Sequence, residues 1–101
     1  MSTPAEFAFR RDRRFKLAGI RVYDHLRERL DHSDARPVKL WVLCDGKIGA
    51  GVDREAAIKA LNDLVAFGYL IEHARGYANV RRFTLAWSVA SSREVPTDSA
   101  A

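Results

Sequence analysis

Three groups of side chains in this sequence are of types that can hold an anion or meet a polar edge. Arg75, Arg81 and Arg82 flank the segment GYANV, which itself carries Tyr77 and Asn79, and no acidic residue lies between them. Arg10, Arg11, Arg13, Arg14 and Lys16 crowd together near the N-terminus against Asp12 alone. Glu55, Lys59, Asn62 and Asp63 recur at spacings that place them on the outer side of one helix, with Arg54 at its margin. A guanidinium presents a planar fork of donors that matches a phosphate, while tyrosine and asparagine offer neutral donors to the same oxygens. Thirteen of the 17 basic residues are arginine. That bias fits selection for such contacts, and it equally fits a GC-rich genome. A net charge of +4 and a pI near 9.6 permit a polyanionic partner without requiring one.

Other chemistries find less support. His25, His32 and His73 have no cysteine partners and no His-Glu-x-x-His spacing, so no metal ligands and no cofactor are assigned. The chain has no G-x-S-x-G, Walker-type or G-x-G-x-x-G motif, and Asp53 and Glu55 fall in the first turn of a helix, where its dipole accounts for them. An enzyme is not expected. Cys44 is the only cysteine, expected as a buried thiol. No apolar run approaches the roughly 18 residues of a membrane span, and the N-terminus carries charges where a signal peptide needs apolar residues. The expected location is cytoplasmic, with the nucleoid.

The elements that must position these groups follow from periodicity. Thr3, Pro4 and Glu6 have the form of a capping box, yet the alternating Phe7 and Phe9 and the charge run after them suit an extended arm equally; residues 1–16 are taken as a basic N-terminal arm. Ile20, Tyr23, Leu26 and Leu30 give a first helix over 17–30. Pro37 holds Arg36 extended, enough for the start of a strand. The run VKLWVLCDGKIGAG fits a buried strand or a short helix; a short helix over 39–45 and a glycine-rich turn are expected. Asp53 then caps a helix from Arg54 that turns Ala57, Leu61, Leu64 and Val65 inward, with Ile58 at the core edge, and Gly68 ends it. Two β-prone runs around GYANV form a hairpin, in which Phe83, Leu85 and Trp87 should face inward and Arg82, Thr84 and Ala86 outward. Trp41 and Trp87, with Tyr23 and Phe83, are expected in the core rather than on a base-stacking platform. Residues 89–101 should be a disordered tail.

Helix, short strand, helix, turn, helix and hairpin is the element order of the winged helix-turn-helix family. DREAAIKALNDLVAFGYLI followed by RRFTLAW resembles the recognition helix and wing of that family, and the likeness covers residues 17–88. FKLAGIRVYDHL and the strand ending FTLAW are similar to winged helices of phage and plasmid replication proteins and of small bacterial repressors. The turn GKIGAG is longer and richer in glycine than the family's usual connection. The resemblance implies an α+β winged helix-turn-helix fold, a three-helix core with a C-terminal two-stranded β-hairpin wing. It implies double-stranded DNA as partner, bound by a homodimer that regulates transcription or serves plasmid or phage replication.

In that setting the third helix lies in the major groove and the wing touches the backbone or the minor groove. Arg54 or Lys59 then suits guanine, Asn62 adenine and Glu55 cytosine. The wing residues Arg75, Tyr77, Asn79, Arg81 and Arg82 and the arm residues Arg10, Arg11, Arg13, Arg14 and Lys16 suit phosphates; about five such contacts would give a log-log salt slope near −4.5. The plainer alternatives are a solvated helix face and a hairpin kept soluble by its arginines. Glu55 and Asp63 would oppose a polyanion and favour a different role, a protein-interaction module with a protein partner and no DNA.

Overall fold

The computed structural model, which describes residues 3–89 apart from the side chain of Tyr77, has four α-helices and a three-stranded antiparallel sheet. Helix α1 (Pro4–Arg11) begins as the capping box dictates, with the Glu6 amide donating to Thr3 Oγ1 at 3.2 Å and Pro4 at the first helical position. The expectation of an extended arm over 1–16 is therefore corrected. Phe7 and Phe9, which would share one face of a strand, stand about 200° apart on a helix. Phe9 turns inward against Tyr23, Phe15 and Tyr69, with ring centroids 4.1, 4.9 and 5.2 Å away, and Phe7 stays 48% exposed. Ala5 is fully buried and its amide donates to the Trp87 carbonyl at 3.0 Å, so α1 belongs to the same core as the rest.

The segment between α1 and the next helix is held by a buried carboxylate. Asp12, its side chain only 5% exposed, accepts from Arg14 Nε and Nη2 at 2.9 and 2.6 Å and from the Tyr69 hydroxyl at 2.7 Å. The Arg14 guanidinium also lies 3.7 Å over the Phe67 ring. Bonded first to Arg14, the Asp12 carboxyl is lowered from 3.8 to about 2, and burial together with this carboxylate pushes the Tyr69 phenol up.

Helix α2 (Leu17–Arg27) stops three residues short of the expected Leu30. Its inward stripe is Gly19, Val22, Tyr23 and Leu26, which leaves Ile20 and Leu17 exposed. Strand β1 (Arg36–Pro37) pairs with the last strand, Arg36 opposite Phe83, and its proline sits at a sheet edge where a missing N–H does no harm. Helix α3 (Leu40–Cys44) buries Leu43 and half-buries Cys44. In the turn after it the Leu43 carbonyl accepts from the amides of Ala50 and Gly51 at 2.9 and 3.1 Å. Gly49 passes so close to α3 that a Cβ there would sit 1.7 Å from the Val42 carbonyl oxygen.

Helix α4 (Arg54–Ala66) has the expected cap, Asp53 Oδ1 accepting from the Ala56 amide at 2.8 Å. It ends at Gly68, whose φ is +88°, with the Tyr69 amide donating to the Leu64 carbonyl at 2.8 Å in the manner that suits a glycine after the cap. Strands β2 (Leu70–His73) and β3 (Arg82–Leu85) follow in sheet order β1-β3-β2, with Leu70 opposite Leu85 and His73 opposite Arg82. Because β3 is the middle strand, the expected division into an apolar and a wet face fails. Thr84 and Ala86 are buried beside Phe83 and Leu85, and Trp87, beyond the strand, is 61% exposed. Thr84 Oγ1 lies 2.9 Å from His73 Nε2, within hydrogen-bond distance, so its burial leaves no polar group unmatched. Val89, expected to open the tail, is buried; the remainder of the tail lies outside the described residues.

Two outcomes test this arrangement. Asp12→Asn should lower unfolding free energy by about 1–2 kcal/mol near neutral pH. The native carboxylate contributes fully above its unfolded value of 3.8 and loses that contribution as pH falls toward 2, so denaturant titrations should show native and variant converging over that window. Gly49→Ala should cost about 2 kcal/mol or more, since either α3 or the turn must move to relieve the overlap, and urea melts would reveal it.

Candidate functional site

The outer side of α4 is built as the helical period requires. Ala57, Ala60, Leu61 and Leu64 take the inner side, and Arg54, Glu55, Lys59 and Asn62 all emerge exposed on the other. Lys59 Nζ meets Asp63 Oδ2 at 2.7 Å, one turn along the same helix, so the acid is matched by its neighbour. Glu55 has no ion-pair partner among the described residues.

One flank of that face is the segment leading into α2, where Arg14 and Lys16 share a shallow cavity with Lys59 and Asp63. The opposite flank is a groove of about 410 Å3 between the start of α3 and the loop of the hairpin, with Leu61 of α4 contributing to its lining. Lys39 and Arg75 border this groove, both exposed and without an ion-pair partner among the described residues.

The hairpin loop spends most of its arginines internally. Arg81 is bonded to Glu72 through both Nε and Nη2, at 2.8 and 2.9 Å, and lies over the Phe83 ring with 5.1 Å to its centroid. Its partner's carboxyl is held below the usual range by that contact. Arg82 Nη2 donates to the Ala35 carbonyl at 3.0 Å. Arg75 alone among the three makes no side-chain hydrogen bond or ion pair among the described residues, and its charge adds to that of Arg81 in holding the Glu72 carboxyl low; Asn79 is exposed. The loop is closed by the Gly76 amide donating to the Val80 carbonyl at 3.1 Å, with Ala78 and Asn79 in left-handed backbone at φ 59° and 61°.

The N-terminal bases are divided in the same way. Arg14 is committed to Asp12 and Phe67, and Arg10 lies 5.7 Å from the centre of the Phe7 ring. Arg11, Arg13 and Lys16 are exposed, with no acidic partner among the described residues. They lie at the end of a helix and in a short linker rather than on an extended arm.

Two features escape a reading of the sequence. Glu72 reaches Arg81 only through the pairing of β2 with β3, a contact across nine residues that no local pattern announces. Trp41, expected in the core, is 65% exposed and lines the groove between α3 and the hairpin. Its surroundings in LWVLC have no helical or strand period that separates an inward from an outward position.

Comparison with protein-family models, with curated proteins and with solved structures finds no match for this chain. Among the described residues, no three histidine, cysteine or acidic side chains come together to hold a metal ion, and no helix is long and apolar enough to cross a membrane.

The division between committed and free arginines has a measurable consequence. Arg81→Ala should lower stability by about 1 kcal/mol or more, because it strands Glu72 and uncovers Phe83. Arg75→Ala should stay within about 0.5 kcal/mol of the native protein in the same denaturant titration.

Proposed function

We propose that this chain is a winged helix-turn-helix domain that binds double-stranded DNA, with α2, α3 and α4 as its three helices and β2 and β3 as its wing. The observation that carries the reading is the outer face of α4. Side chains able to meet base edges occupy it, and unmatched cations lie on both flanks, Lys16 on one and Lys39 with Arg75 on the other. The helix–turn–helix order of α3 and α4 and the sheet order β1-β3-β2 are compatible with it.

On this reading α4 enters the major groove, Arg54 and Asn62 meet base edges, and Lys59 leaves Asp63 for DNA at little cost, since an exposed pair of this kind is worth under about 1 kcal/mol. Arg75 is the principal wing contact, and Arg11, Arg13 and Lys16 supply phosphate contacts beyond the other flank. A homodimer on a pseudo-palindrome would add the base contacts one small domain lacks, with the exposed Phe7, Leu17 and Ile20 of α1 and α2 as its surface. Regulation of transcription and plasmid or phage replication are both consistent roles, at the nucleoid. A second reading, docking of a protein partner on α4, is favoured by one observation, the exposed carboxylate of Glu55 in the first turn of that helix, which has no ion-pair partner among the described residues.

Fluorescence anisotropy with random-sequence duplex DNA across a salt series decides between them. The native protein should bind micromolar or tighter at low salt and weaken steeply as salt rises. Lys16→Ala combined with Arg75→Ala, which removes two of the phosphate contacts, should reduce the log-log slope by about 1.8. Arg81→Ala combined with Arg82→Ala should change the slope less, because those guanidinium groups already have partners. Absence of binding at low salt by folded protein would sink the DNA reading.

A further inference from the structure

Beside Lys39 and Arg75, which border the α4 face, the groove between α3 and the hairpin loop has an apolar lining that the reading of α4 does not use. Helix α3 is only five residues long, and burying Leu43 leaves Trp41 turned to solvent. The indole stands beside Val38, Leu61, Ala78 and Val80, an apolar lining, and the cations Lys39 and Arg75 border it. No carboxylate is among the described residues that line it; the nearby Glu72 is consumed by Arg81. An exposed tryptophan of this kind forfeits about 2 kcal/mol of burial that a folded chain ordinarily collects. Its complement is a flat, apolar group with negative charge alongside.

An unpaired nucleotide has that composition, a base with two free faces and a phosphate on each side. A base inside a duplex offers no free face, because its neighbours are stacked on it. We infer that the groove binds one unpaired nucleotide of single-stranded DNA, the base stacked on Trp41 and the flanking phosphates met by Lys39 and Arg75. Base stacking on an aromatic side chain tolerates any base, so the groove would add affinity for open strand without adding sequence preference. Since it borders the α4 face, the protein would hold duplex and open strand side by side; that extension rests on the duplex-binding reading, while the groove's own affinity for single strand does not.

Trp87→Phe leaves Trp41 as the sole tryptophan of the full chain, and Trp87 is exposed enough for the change to spare the fold. In this variant, an oligothymidylate of about eight nucleotides should quench the Trp41 emission saturably, and less so as salt is raised. Anisotropy with the same labelled oligonucleotide should show Trp41→Ala weakening binding at least about fivefold. Trp41→Phe should weaken it less, and Lys39→Ala combined with Arg75→Ala should flatten the salt dependence. Quenching by single strand in a protein that does not bind duplex would uphold the groove and overturn the duplex reading. Duplex binding with no Trp41 response to single strand would do the reverse. Two further results would overturn the inference: an emission shift that follows protein concentration alone, which assigns the groove to a second copy, or a larger response to an acidic peptide of alternating glutamate and leucine.

Discussion

The backbone of residues 81–87 is the constraint on which the rest of the molecule depends. This stretch is largely buried, and a buried amide or carbonyl left without a partner costs about 1–3 kcal/mol. Its groups are met by six partners. Beyond the β2 ladder and the β1 pair, the Arg81 carbonyl accepts from Val38, the Leu85 amide donates to Asp31, and the Ala86 amide donates to Tyr69. The Trp87 carbonyl then receives the Ala5 amide. One strand thus joins α1, the loop after α2, the approach to α3 and the exit from α4, and none of these can shift without unpairing part of it.

The geometry of the candidate site follows from that strand. Val38, bonded to Arg81, fixes where α3 begins, and so where Lys39 and Trp41 stand relative to the hairpin. The register of β2 on β3 brings Glu72 to Arg81 and so fixes which arginine of the hairpin is neutralised. A slip of one residue would carry every side chain of β2 to the other face, exposing Leu70 and removing Glu72 from its partner. Core packing and the charge pattern of the surface are consequences of the same pairing.

Much of this was legible from local signals, and what was not depended on distant ones. The cap at Asp53, the stop at Gly68, the extended Arg36 before Pro37 and the hairpin around GYANV each have a mechanism contained within a few residues, and each is present. Thr3 and Glu6 announced α1 just as locally, but the charge run after Phe9 pointed the other way. What decides for a helix is the packing of Phe9 against Tyr23 and Tyr69, residues 14 and 60 positions further on. Hydrophobicity alone does not place the two tryptophans, both of which are exposed. Trp41 sits in an apolar run with no period, and Trp87 follows a strand whose alternation is erased by neighbours on both edges. For the candidate site, residue types on α4 were visible from spacing, whereas which arginines of the hairpin are free required the sheet.

That last distinction changes how the positive charge of the chain bears on function. A net charge of +4 says little while its location is unknown. Arg14, Arg27, Arg29, Arg36, Lys59 and Arg81 each face a carboxylate, and their fields fall away within a short distance. Among the described residues the cations without such partners include Lys16 on one side of α4, Lys39, Arg54 and Arg75 at its start and other side, and Arg11 and Arg13 near the end of α1. Internal pairing therefore sharpens the surface instead of merely reducing its charge. Arg81 and Arg14 contribute rigidity, which holds the hairpin and the linker in place. Arg75 and Lys16, carried on those same segments, have no ion-pair partner among the described residues. A polyanion approaching the molecule meets a field set by residues that the fold left unmatched, at positions that the matched ones hold still.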